Sequence, residues 1–248
     1  VFNDYSPFEE IARPRQGMAT SDVNRFIRFW YEVKTESTGF GMYSREQALI
    51  SKKTWFPHNK GGENRRWYGN NLYLVNWFND GEEVLAFAAE LYGSPTRTIK
   101  NISYYFRKSV TWAMIGTASF SARYSPGGFL FDVAGPSAFP EEGLFGRVCG
   151  FLNSYVAFLL IKAMNPTLNY NSGDIGRLPF NPTIIEKSMS AESVFPDLVK
   201  ISQKDWDSYE TSWDFQQLPL LGFRCEVLGV RECYVKLREQ WMENTLWM

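Results

Sequence analysis

Apolar and polar positions change rhythm along this chain. In the first 140 residues they alternate over short runs. Tyr73, Val75 and Trp77 share one side of Gly69–Phe78, with Asn76 on the other, and Phe129–Val133 behaves alike. This is the two-residue period of strands. Ser125-Pro126-Gly127-Gly128 separates Ser119–Tyr124 from Phe129–Val133 and predicts a hairpin, because Pro and Gly supply the backbone angles of a tight reversal. The period then lengthens. Val148, Cys149, Phe151, Leu152, Tyr155, Val156, Leu159, Leu160 and Ala163 recur at helical spacing through 144–164, and Asn165-Pro166 stops the run. So many apolar positions predict a helix buried on most sides. Pro179–Asp197 reads as an irregular linker with a short helix. Glu226–Asn244 predicts a second helix, with Val227, Val230, Tyr234, Leu237 and Trp241 along one face and Leu246, Trp247 and Met248 exposed after it. The expected class is α+β: a mixed, strand-rich globule in about the first 140 residues, followed by buried and C-terminal helices. The expected division is a globule over 1–182, then a linker and helical segment over 183–248.

Composition changes this picture little. The chain has 248 residues, 44% of them hydrophobic and 21% charged, the profile of a folded globule of one large or two small domains. The aromatic share, 17%, is high. No run approaches the roughly 18 apolar residues of a membrane span; the longest, Val156–Ala163, contains Lys162. The opening VFNDYSPFEE has neither an initiator Met nor a charged-then-apolar leader, so the chain reads as an excerpt of something longer. The single His, His58, excludes paired-His chemistry. Cys149, Cys225 and Cys233 lack C-x-x-C spacing, so no metal site is expected, and sparse, odd cysteines imply a reducing, cytoplasmic setting. Phosphate-loop, dinucleotide and nucleophile-elbow motifs are absent. Asp205-Trp206-Asp207 reads as a turn or helix cap. Asn165-Pro166-Thr167-Leu168 and Asn181-Pro182-Thr183-Ile184 have one proline each and no aromatic, so neither supplies the stacking ring that holds a flipped base.

Charge is unevenly distributed. Residues 1–130 hold 16 Lys and Arg against 12 Asp and Glu, whereas residues 131–248 hold 10 against 15. The most basic stretch is 45–66, with Arg45, Lys52, Lys53, Lys60, Arg65 and Arg66 facing only Glu46 and Glu63. Binding a polyanion requires a local positive surface rather than a positive total. A solvated basic loop fits the same composition.

Several ordered segments converge on one family. ARPRQGMATSDVNRF (12–26), RFWYEV (28–33) and WFPHNKGGENRRWYGN (55–70) are followed by YYFRKSVTWAMIGTASFSARY (104–124), GFLFDVAGPSAF (128–139) and GFLNS (150–154). NPTLNYNSGDIGRLPFNP (165–182) and DWDSYETSWDF (205–215) complete the series. The series resembles the adenine-specific DNA methyltransferases of BREX phage-defence systems, the PglX family, which are similar to type IIG restriction–modification enzymes. The resemblance covers roughly residues 8–215. It implies that S-adenosylmethionine is bound, and methyl transfer performed, in a region N-terminal to this chain, with no catalytic residue or cofactor site here. It also implies that this chain is the target-recognition region. Its partners would be double-stranded DNA and the catalytic domain of the same polypeptide, with other defence proteins or a DNA-mimic inhibitor as further candidates and no membrane.

Candidate contacts follow. Gly17–Arg25 reads as a Gly turn with a capped helix start that turns backbone N–H groups toward a phosphate, which nominates Thr20, Ser21, Asn24 and Arg25; a plain inter-domain turn fits equally. In the Lys60–Asn70 segment, Gly61 and Gly62 permit close backbone approach. Lys60, Arg65 and Arg66 suit phosphates or guanine, and Asn64 suits adenine; Trp67 and Tyr68 read as core. Arg107 and Lys108 would face opposite ways on a strand, making one of them structural, so Arg107 and Arg123 complete the set. Gly173-Asp174-Ile175 reads as architectural. Two other functional classes fit the composition: an aromatic-rich carbohydrate-binding module, and an interaction scaffold.

Overall fold

The computed structural model of the chain describes residues 5–116, 119–180, 189–222 and 229–247. Its class is α+β. Strands β1 (Ser6–Pro7), β2 (Ile27–Phe29), β3 (Trp55–Asn59), β4 (Tyr73–Asn76), β5 (Ser109–Trp112), β6 (Ala122–Ser125), β7 (Leu130–Phe131), β8 (Ser137–Ala138) and β9 (Pro179–Phe180) are all short. They form a four-stranded sheet, β2-β4-β3-β7, a three-stranded sheet, β6-β5-β8, and the pair β1-β9. The helices are α1 (Glu9–Ala12), α2 (Val23–Phe26), α3 (Arg45–Ser51), α4 (Phe78–Tyr92), α5 (Phe145–Leu152), α6 (Tyr155–Met164), α7 (Ser172–Gly176), α8 (Met189–Trp206), α9 (Pro219–Gly222) and α10 (Val230–Trp247).

Each sheet has its own apolar cluster. Around the four-stranded sheet lie Phe26, Phe56, Val75, Trp77, Phe106 and Phe131 with Val84 and Ala88 of α4. Around the three-stranded sheet lie Val110, Trp112 and Ala122 with Val148 and Leu152 of α5 and Phe195 of α8. Strand alternation explains the second cluster: Val110 pairs with Tyr124 and Trp112 with Ala122, all toward the helices.

The opposite face of β6-β5-β8 carries Ser109, Thr111, Arg123, Ser125 and Ser137, each no more than 3% exposed. A buried polar face survives only if it is hydrogen-bonded. Here the end of β3 and the 132–136 loop supply the partners. Asn59 Nδ2 donates to Ser125 Oγ at 2.8 Å, Thr111 Oγ1 donates to the Pro136 carbonyl at 3.0 Å, and Arg123 Nη2 donates to the Gly61 carbonyl at 3.3 Å. Beside them, His58 Nε2 lies 3.3 Å and Lys60 Nζ 3.4 Å from Asp132 Oδ2, while Asp132 Oδ1 accepts from Ala134 N at 2.7 Å. This polar seam lies between the two apolar clusters.

Several sequence expectations are corrected. Ser125–Gly128 is no hairpin turn: β6 pairs with β5, whereas β7 joins the other sheet in parallel with β3, so the turn carries the chain from one sheet to the other. Within the strand-rich half runs the 15-residue α4, whose opening residues Asn79, Asp80 and Gly81 take left-handed φ angles. The helix expected over 144–164 is two, bent by 62°. Asn153 breaks it by turning its side chain to the backbone N–H and carbonyl of Ala122, and Ser154 caps α6 by accepting from Ala157 N. Nor is α6 buried on most sides: Tyr155, Val156 and Leu159 are exposed. Among the described residues no single helix is long and apolar enough to cross a membrane; only the bent pair α5–α6 reaches that composition together.

Asp197, placed in a linker, lies inside the 18-residue α8. The 182/183 division and Asn181-Pro182 fall outside the described residues, as do Cys225, Glu226, Val227, Met248 and the Trp247 side chain. In α10 the inward positions are Cys233 and Leu237, with Gln240 and Asn244 half-buried. Val230, Tyr234 and Trp241, expected on the packed face, are exposed, and so is Leu246. Cys149 and Cys233 are buried; burial pushes the Cys149 thiol up.

The seam makes stability depend on pH. Burial holds His58 below the ordinary imidazole pKa of 6.5, against the opposing hydrogen bond from Asp132. Burial alone would raise Asp132, but the hydrogen bond from His58, the Ala134 amide and Lys60 hold it low. The unfolded chain therefore takes up a proton at His58 that the folded chain refuses. Stability is whole above pH 6.5 and falls as the pH drops below it, by at most about 1.4 kcal/mol per unit. Because His58 is the single His in the sequence, His58→Gln should flatten this dependence between about pH 6.5 and 5 in denaturant titrations.

Candidate nucleic-acid interface

The basic segment 45–66 is not one positive surface. Arg45 is committed to Asp80 through two hydrogen bonds, and Lys60, half-buried, joins Asp132 in the seam. The segment's exposed loop is Gly62–Arg66, and the chain itself fills the space beside its glycines. A Cβ on Gly61 would sit 2.6 Å from the Ala134 carbonyl oxygen, and one on Gly69 would sit 2.5 Å from Arg65 Nε. Both adopt φ angles near the left-handed region, +86° and +120°, which glycine takes without strain.

Arg65 acts as a brace. Its backbone N–H donates to Ser121 Oγ at 3.1 Å and its Nε to the Tyr68 carbonyl at 3.1 Å. Its guanidinium pairs with Asp205 at the end of α8 and stacks over Trp206 with 5.1 Å to the ring centroid. The Asp-Trp-Asp segment thus ends a helix and clasps the loop. Asp207 turns the other way and accepts from Ser212 Oγ at 2.6 Å. On the far side of the loop Asn64 Nδ2 donates to Ser119 Oγ, and Asn70 Nδ2 donates to the Glu63 carbonyl at 2.8 Å. Trp67 and Tyr68 are core residues, 8% and 6% exposed. Burial pushes the Tyr68 phenol up.

Arg66 is different. Its carbonyl accepts from Tyr68 N at 2.8 Å, but its side chain is exposed and makes no hydrogen bond or ion pair among the described residues. It lines a cleft of about 320 Å³ with Asn64, Lys204, Gln240, Trp241 and Asn244, between the loop, α8 and α10.

The other nominated residues are dispersed. Thr20 is buried. Asp22, not Thr20 or Ser21, caps α2, accepting from Arg25 N at 3.0 Å. Ser21 and Asn24 are exposed. Arg25, also exposed, pairs with Glu83 at 2.7 Å and lies over the rings of Phe26 and Phe87. Arg123 is 2% exposed, with Nε and Nη1 unpartnered; burial, with Arg65 nearby, brings its guanidinium down to about 10. The turn that placed it at a surface leads instead between two sheets. Arg107 and Lys108 do not alternate, because β5 starts only at Ser109 and Arg107 N still bonds back to the Tyr104 carbonyl at 3.4 Å. Both are exposed on one groove. Arg13, which the sequence did not nominate, and Lys108, weighed there and set aside in favour of Arg107, line that groove, and both stand inside the quoted family segments. Their signal was proximity across 95 residues, which no local pattern carries.

Gly173–Ile175 lies within α7. Asp174 accepts from the Asn165 and Asn171 side chains and from Arg177, which together hold its carboxyl low against the effect of burial. Asn165 also accepts from Thr167 N at 3.1 Å. The pattern is that of a structural knot. Among the described residues no group of three or more His, Cys, Asp or Glu could hold a metal ion.

Comparison with known sequences places the chain beside adenine-specific methyltransferases. No family model matches the chain. It is 36% identical over 212 residues, 84% of its length, to the adenine-specific methyltransferase PglX of Lacticaseibacillus casei (strain Zhang). It is 31% identical over 236 residues, 94% of its length, to the adenine-specific methyltransferase BrxX of Escherichia coli O9:H4 (strain HS). The chain is PglX-like, with BREX adenine-specific methyltransferases as its homologues. It spans 17% and 18% of the length of these two relatives.

Arg65 and Asp205 separate structure from surface charge. Arg65→Ala removes a charged hydrogen-bond pair and a stacked guanidinium and should destabilise the chain by about 2 kcal/mol. Asp205→Ala, removing one half-exposed partner, should cost about 0.5 kcal/mol. Urea denaturation of the two variants reads the difference.

Proposed function

We propose that this chain is the target-recognition region of an N6-adenine DNA methyltransferase in a BREX-type defence system. It holds duplex DNA by sequence while methyl transfer from S-adenosylmethionine takes place elsewhere in the parent polypeptide. One observation carries the reading: a loop braced from both sides presents Arg66 outward with no internal partner. A base- or phosphate-reading side chain is effective when its backbone is already fixed, because little entropy is then lost on contact. The relatives are adenine-specific methyltransferases, which supports DNA as the partner.

Ser21, Asn24, Arg25, Asn64, Arg66 and Arg107 stay within the proposed contact set because they are exposed. Burial removes Thr20 and Arg123 from it, and internal pairing removes Lys60 and Arg65. The methyl donor is assigned outside these residues. Lys200, Lys204 and the exposed side of α10 are the proposed contacts to the catalytic domain. Other defence proteins or a DNA-mimic inhibitor would compete with DNA for the same cations.

In the full-length protein, Arg66→Ala should weaken duplex binding severalfold and lower the log–log salt slope by about 0.9, the loss of one phosphate contact. If Arg66 reads guanine instead, binding falls for the cognate sequence alone and the slope is unchanged. Fluorescence anisotropy across a salt series distinguishes the two. An unchanged affinity for every duplex would discard this surface.

A further inference from the structure

A second basic site lies on the groove that holds Arg107. The groove has a volume of about 450 Å³ and is lined by Arg13, Arg107 and Lys108, with Tyr43, Tyr104, Phe106, Phe139 and Phe145 among its aromatic walls. Arg107 and Arg15 both lie over the ring of Tyr104, with their guanidinium carbons 5.2 and 5.5 Å from its centroid. Neither has a carboxylate partner among the described residues; Arg15 Nη1 donates only to the Pro14 carbonyl, at 2.9 Å. Three cations therefore line the groove, and a fourth, Arg15, lies against the ring of Tyr104 in its wall.

The walls are fixed by backbone hydrogen bonds. Arg15 N donates to the Ser137 carbonyl at 2.8 Å and Ser137 N returns a bond to Arg15 at 3.0 Å. Phe139 N donates to the Ala12 carbonyl. Segment 12–15 is thereby held against 137–139, and β8 is in turn paired with β5, which follows Lys108 directly. The exposed turn after Phe139 carries the only two carboxylates lining the groove. Glu141 sits 3.5 Å from Arg13 and Glu142 sits 2.9 Å from Lys108, and these glutamate side chains are 73% and 77% exposed. The Glu142 hydrogen bond raises the Lys108 ammonium.

Exposed ion pairs of this kind contribute at most about 1 kcal/mol each. A phosphate competes well for such cations, because it brings charge-assisted hydrogen bonds and releases counterions from the nucleic acid. We propose that this groove is a phosphate-backbone contact for duplex DNA, separate from the Arg66 loop, in which Glu141 and Glu142 stand in for phosphates until DNA displaces them. The proposal rests on the DNA-reading function above and adds a contact surface to it. Cation–π stacking on Tyr104 holds Arg107 and Arg15 in place, and the two carboxylates keep Arg13 and Lys108 extended toward the phosphate positions.

The test uses the full-length protein and duplex DNA in a salt series. Glu141→Gln with Glu142→Gln removes the carboxylates that compete with phosphate, so binding should tighten by roughly three- to tenfold, while the slope, set by the same number of phosphate contacts, stays close to that of the wild type. A charge-matched control, Glu36→Gln with Glu90→Gln, should leave the affinity within about twofold of the wild type. Arg107→Ala with Lys108→Ala should lose about tenfold in affinity and about 1–2 in slope. A Glu141/Glu142 variant that matches the control, or an Arg107/Lys108 variant with the wild-type slope, overturns the groove while the Arg66 result stands by itself. Wild-type protein that retains no duplex even at low salt overturns both the groove and the reading beneath it. All substituted side chains are exposed, and thermal melts of the variants confirm that folding is intact.

Discussion

A sheet face built entirely from polar side chains and then covered governs this molecule. Ser109, Thr111, Arg123, Ser125 and Ser137 are buried, so each must find a partner within the protein or destabilise it. The partners they find, at Asn59, Gly61 and Pro136, belong to the end of the neighbouring sheet and its adjoining loop. Satisfying that face therefore fixes how the two sheets meet. Apolar packing alone would leave the spacing of the two clusters adjustable, whereas directional hydrogen bonds do not.

The same seam sets the starting point of the exposed loop. Residues 58–61 are tied down by Asp132, Ser125 and Arg123 before the chain turns outward at Gly62, and Arg65 catches it again through Asp205, Trp206 and Ser121. Of the cations in 45–66, those closest to the globule are thus consumed as struts. A sequence count of positive charge overstated the available surface for this reason. Buried Arg123 is the extreme case: its positive charge is offset by one carbonyl and no carboxylate, and it acts on Gly61 rather than on solvent.

How much of this was legible beforehand follows from where the information lies. Class, the strand at 73–76, the helix stop at Asn165 and the core roles of Trp67 and Tyr68 were readable, because periodicity and turn chemistry are local. The hairpin at Ser125–Gly128 failed because a turn signal specifies a change of direction, not the strand that receives the chain. The single helix over 144–164 failed because Asn153 reaches residue 122, a contact across 31 positions. For the site, residue type nominated Arg65 and Arg66 equally, and only the position of Asp205, 140 residues away, distinguishes a brace from a free side chain.

The short pairing of β1 with β9 sets Ser6 opposite Phe180 and Pro7 opposite Pro179. A stretch of some 170 residues thus leaves and returns through one narrow doorway. Closure there brings the two ends of the stretch side by side, and α8 then packs back onto it through Phe195, Asp205 and Trp206, so the segment beyond the doorway locks what the doorway closes.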